Sequence, residues 1–85
     1  MKKLTKFSTR QEIGIEIHCF LVKKEESFTL LSAYREIIEH CEEGIDTNLV
    51  ESALFECMDR LLEDGSVRYI DGRYYSTPTV SFELA

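Results

Sequence analysis

Three cysteines, two histidines and sixteen carboxylates are the side chains of this 85-residue chain best suited to chemistry. Their spacing argues against it. A structural or catalytic metal needs ligands that converge, typically Cys-x-x-Cys or His residues one helical turn apart. Cys19, Cys41 and Cys57 form no such pair. His40 and Cys41 are adjacent, and adjacent helical residues do not face one site. A thiol nucleophile needs a base and a group to orient that base, and neither is signalled beside Cys19 or Cys41. Gly14, Gly44, Gly65 and Gly72 stand apart, so there is no glycine-rich phosphate loop. Glu42 and Glu43 read as a solvated helix end. The expectation is a non-enzymatic chain without metal or cofactor.

What remains is binding chemistry. Glu51, Ser52, Phe55, Glu56 and Asp59 fall along the outer side of one helical segment, with Glu63 beyond them. They would make an acidic, partly apolar surface for a basic partner protein; the bland alternative is a solvated helix face. Phe55 lies at the rim of the apolar face, where core packing is expected and partner anchoring is the alternative. Arg68, Arg73, Tyr74 and Tyr75 cluster in a β-rich stretch and could grip a phosphate backbone, or belong to an ordinary hairpin. Lys2, Lys3, Lys6 and Arg10 could form a basic arm reaching a groove, or a frayed terminus. The nucleic-acid candidates are thus Lys3, Lys6, Arg68, Arg73 and Tyr75.

Charge is unevenly distributed. Residues 1–10 carry +4. Residues 11–65 hold fourteen acids against Lys23, Lys24, Arg35 and Arg60, a balance of −10. Residues 66–85 are neutral.

The elements that would position these groups are legible from caps and periodicity. The length predicts one small domain with a modest core. Thr9 and Glu12 fit a capping box, starting a helix over 10–24. Its inward face is Ile13, Ile17, Phe20 and Leu21. Ile15, Cys19 and Val22 form a second stripe opposite, which needs cover from the C-terminal segment or from a second copy. The segment Phe28-Thr29-Leu30 reads either as a short extended piece or as a cap at Thr29. A second helix is expected over 30–43, with Leu30 or Leu31, Tyr34, Ile37, Ile38 and Cys41 inward and Gly44 at its end. Asn48 and Glu51 read as the cap pair of a third helix over 48–64, with Val50, Leu54, Cys57, Met58, Leu61 and Leu62 inward. Asp71-Gly72 between β-rich residues predicts a hairpin over 66–77, pairing Ile70 with Arg73, Tyr69 with Tyr74 and Arg68 with Tyr75. Pro78 ends its second strand. Val80, Phe82 and Leu84 then alternate with polar residues as a short strand would. The three cysteines read as small buried apolar residues. Gly14 inside the first helix suggests a close helix crossing.

Three helices followed by a hairpin resemble the winged helix-turn-helix superfamily. The residues that carry the likeness are Phe28-Thr29-Leu30, Leu61 to Val67, and Asp71-Gly72-Arg73-Tyr74-Tyr75. It covers residues 9–77, leaving 1–8 as a basic arm and 78–85 as an extended segment. The resemblance implies a mainly α fold with a small β-hairpin wing. In DNA-binding members the exposed early part of the third helix enters the major groove and the wing touches the backbone. The matching positions here are Asn48, Glu51, Ser52, Phe55, Glu56 and Asp59, which depart from the usual Arg, Lys, Gln, Ser and Thr.

Two functional readings stay open. One is a regulatory or adaptor module binding a protein through the acidic third helix, with self-association through Ile15, Cys19 and Val22. The alternative is a DNA-binding regulator using the wing and the basic arm. The longest apolar run, Cys19 to Val22, is far too short to span a membrane. The basic start lacks a following apolar core, so a cytoplasmic location is expected.

Overall fold

The computed structural model describes residues 1–77. Three helices, α1 (Arg10–Val22), α2 (Leu30–Glu39) and α3 (Thr47–Glu63), precede an antiparallel hairpin of β1 (Val67–Ile70) and β2 (Arg73–Ser76). This mainly helical layout is compatible with a winged helix. No helix among the described residues is long and apolar enough to cross a membrane.

Each helix begins where a side chain can satisfy its orphan N–H groups. The Thr9 hydroxyl accepts from Glu12 N–H while the Glu12 carboxylate accepts from Thr9 N–H. Thr29 and Ser32 form the same reciprocal pair at α2. At α3 the expected cap of Asn48 with Glu51 is replaced by Asp46, whose carboxylate accepts from Asn48 and Leu49 N–H. Asp46 reaches those donors because its own backbone is still extended, as an N-cap requires.

The second helix stops at Glu39, short of the expected 43. The cause lies at the other end of the sequence. Leu4 N–H donates to His40 C=O at 3.0 Å, and Leu4 C=O accepts from Glu42 N–H. That parallel bridge between Leu4 and Cys41 takes the donor that would have extended the helix. Gly44, at φ +92°, therefore serves the turn into α3 rather than the end of α2. The first helix likewise ends at Val22, with Lys23 as its C-cap.

One core joins all these elements. Ile13, Ile17 and Leu21 of α1 pack with Val50, Leu54, Cys57, Met58 and Leu61 of α3, and Ala33 and Ile37 of α2 close the third side. Phe28, Val67 and Leu4 complete it. Leu4 is 1% exposed, so the N-terminal stretch is pinned to the body and not frayed. Leu62, expected inside, is 36% exposed at the edge. No polar or charged residue among those described is buried.

The hairpin has the expected register, Ile70 with Arg73, Tyr69 with Tyr74 and Arg68 with Tyr75. Asp71 and Gly72 both have positive φ, as a type I′ turn demands. Both readings of Phe28-Thr29-Leu30 hold together. Phe28 bonds Tyr74 in both directions, at 2.9 and 2.8 Å, while the next residue caps α2. Phe28 and Tyr74 stack with centroids 5.7 Å apart, fixing the hairpin to the helices. A Cβ on Gly14 would meet nothing within 4 Å, so that glycine does not serve a close helix crossing. Pro78 and the alternating Val80, Phe82 and Leu84 lie outside the described residues.

Candidate functional site

The outer surface of α3 is divided by its two neighbours. Glu51 and Phe55, one turn apart, face α2. With Leu30, Leu31, Tyr34 and Leu54 they line an apolar groove of about 350 Å³. Phe55 is 46% exposed and Leu31 59% exposed, so neither is part of the core. The expectation that Phe55 packs inside is thus overturned. The buried arc of α3 is already filled by Val50, Leu54, Cys57, Met58 and Leu61, and Phe55 is turned about 100° from Leu54.

Ser52 and Glu56 face α1 instead. Arg10 donates to the Ser52 hydroxyl at 3.4 Å and pairs with the Glu56 carboxylate. Both partners of that ion pair are about half exposed, so it adds little stability. It does occupy the one arginine of the N-terminal stretch against an acid of α3. Asp59 is exposed between the two sides. The five residues singled out on α3 therefore form an acidic ridge with an apolar groove on one flank.

The basic candidates are less available than their sequence suggests. Arg73 donates from Nε to the Ser27 hydroxyl at 2.7 Å and from its guanidinium to the Ser27 carbonyl at 3.1 Å. It ties the hairpin to the loop before α2. Arg68 and Tyr75 are opposite one another on the hairpin and exposed. Lys3 and Lys6 are exposed, but the stretch that carries them is held to carboxylates. Lys2 N–H donates to Glu16 at 3.0 Å and Lys6 N–H to Glu42 at 3.1 Å.

A second, larger groove of about 600 Å³ runs between α1 and α3. Ile15 and Cys19 line it, over a floor that includes Gly14 and Ala53. Ile15 is 53% exposed and Val22 36% exposed. Cys19 is exposed too, contrary to its reading as a buried residue. The second stripe of α1 is uncovered among the described residues, and Val22 lies outside the groove that Ile15 and Cys19 share.

The surroundings of the other two thiols disfavour the thiolate. Burial pushes the Cys57 thiol up from its ordinary value, and its Sγ lies 3.4 Å from the Gly14 carbonyl. Burial also raises Cys41, which donates to the Ile37 carbonyl at 3.2 Å. Neither favours the thiolate that a nucleophile or metal ligand must be. Among the described residues no group of three or more His, Cys, Asp or Glu is placed to hold a metal.

Two features escaped the sequence reading. Phe7 is 82% exposed on a turn closed by Thr5 and Ser8, with Lys6 Nζ 5.4 Å from its ring centre. Its only signal was a lone aromatic in a polar run. The α2 wall of the apolar groove was hidden because α2 has more apolar residues than its inward face needs. No family model, curated protein or solved structure matches the chain.

Proposed function

We propose that this is a small winged-helix binding module of regulatory or adaptor type, acting on a protein through the outer surface of α3. The observation that carries this reading is the exposed apolar groove of Leu31 and Phe55 beside the carboxylates of α3. Contiguous exposed apolar surface rimmed by polar groups marks interaction sites. Aromatic anchors such as Phe55 typically carry much of the energy at such sites.

The same surface is poorly suited to DNA. Protein–DNA affinity comes largely from cations that neutralise phosphates. Glu51, Glu56 and Asp59 would set negative charge where phosphates lie. Arg10 is paired with Glu56, and Arg73 is engaged with Ser27. Any duplex contact would rest on Arg68, Lys3 and Lys6.

A photo-crosslinking phenylalanine analogue placed at Phe55 or at Arg68 in living cells separates the readings. The proposed role predicts polypeptide adducts from Phe55 and none from Arg68. Nucleic-acid adducts from Arg68, with none from Phe55, would overturn it.

A further inference from the structure

The groove between α2 and α3 also constrains what kind of protein it would take. Its lining is apolar apart from Glu51. On the α3 side, Glu51 lines the groove one helical turn before Phe55, and Asp59, outside the lining, is exposed one turn after it. On the α2 side the neighbouring charge is a cation, Arg35, one turn after Leu31. The groove thus has an acidic edge and a basic edge, with the acidic edge carrying more charge. An occupant must match that polarity.

The walls also limit the occupant's backbone. Both are helices, and helices offer no strand edge, so an extended segment would gain no ladder of backbone bonds here. A helix satisfies its own backbone and needs only side chains to fill the groove.

Resting on the protein-binding reading above, we propose that the α2–α3 groove seats a basic amphipathic helix of a partner protein. An apolar side chain enters between Leu31 and Phe55. Lys or Arg residues on one flank of that helix meet Glu51 and Asp59. The α1–α3 groove is the poorer seat for such a helix, because Arg10 and Arg60 line it and its one carboxylate, Glu56, is already paired with Arg10.

The test uses the full chain, labelled with nitrogen-15, and two synthetic helical peptides. Both carry Leu at i, i+3, i+4 and i+7. One has Lys and the other Glu at the flanking positions. The Lys peptide is expected to shift the amides of Leu31, Tyr34, Glu51 and Phe55, and to bind on the order of tenfold more tightly than the Glu peptide. Phe55→Ala should weaken it by about tenfold or more. Glu51→Lys should invert the preference between the peptides. Both residues are exposed, and an otherwise unchanged spectrum verifies that each variant is folded; Leu31→Ala provides an independent check of the same pocket.

Equal binding of the two peptides, or no binding of either, overturns the proposal. Shifts confined to Ile15, Cys19 and their neighbours would overturn it while leaving a protein-binding role standing. Shifts at the groove that arise on concentrating the protein alone, and vanish in Phe7→Ala, would make a second copy the occupant and also overturn it. Failure of both peptides together with saturable binding of a DNA duplex would remove the broader reading as well.

Discussion

Asp46 is the residue on which the third helix starts, and it illustrates how far single residues could be read. The sequence offers three cap-capable side chains in a row, Asp46, Thr47 and Asn48. Pairing Asn48 with Glu51 follows the usual pattern of a cap and a carboxylate three residues on. The chain uses Asp46, whose extended backbone brings its carboxylate onto the Asn48 and Leu49 N–H groups. The early end of α2, by contrast, is bonded to Leu4, far away in the sequence, and no local pattern contains that contact. Asp46→Ala should cost about 1 kcal/mol in denaturant unfolding, while Asn48→Ala should stay within about 0.5 kcal/mol. The Thr9 backbone N–H, and then its hydroxyl, hold the Glu12 carboxyl below its ordinary range. The Ser66 hydroxyl, and then its N–H, do the same for Asp64. A carboxyl depressed in the folded state stabilises it above the unfolded-state pKa, and that stability is lost as pH falls through the folded value. Unfolding free energy should therefore decline across roughly pH 5 to 3, and Glu12→Gln should make that decline shallower. An unchanged slope would show that Glu12 bonds its cap no better when charged.

At the scale of elements, the hairpin was the most legible part of the chain. Asp71-Gly72 dictates a turn with two positive φ angles, and that turn fixes every pair in the register. Helix identities were legible too, because their buried residues recur at helical spacing. Helix ends were less so, since tertiary bridges compete for their terminal donors. The N-terminal stretch was misread for a related reason. Its composition is basic and polar, and one leucine in it gives no periodicity. Yet Leu4 is buried and bonded on both sides to the end of α2. Leu4→Ala should therefore destabilise the whole fold by about 2–5 kcal/mol, as a core truncation does. Phe55→Ala, on the same unfolding assay, should change stability by no more than about 0.5 kcal/mol. That contrast would place Phe55 on the surface, and a core-sized loss at Phe55 would remove the groove from the account. The candidate site was only half legible. The α3 residues were found from their spacing on one helix. Leu30, Leu31 and Tyr34 were not recognised as its other wall, because the packing of two helices decides which apolar residues remain outside.

At the scale of the whole molecule, uncovered apolar surface and charge set the behaviour in solution. Ile15, Cys19 and Val22 leave the outer stripe of α1 exposed among the described residues. Sedimentation equilibrium should show reversible self-association that Ile15→Lys abolishes. A monomer at high concentration, with Ile15 protected, would mean that the chain covers this stripe itself. The balance of −10 over residues 11–65 acts more broadly. Such a balance opposes the approach of a polyanion to α3. The most direct measurement is fluorescence anisotropy of a labelled random-sequence DNA duplex titrated with the protein at low salt. The account predicts no saturable binding there, where electrostatic attraction is least screened. Saturable binding that weakens steeply with salt and is lost in Arg68→Ala would contradict it.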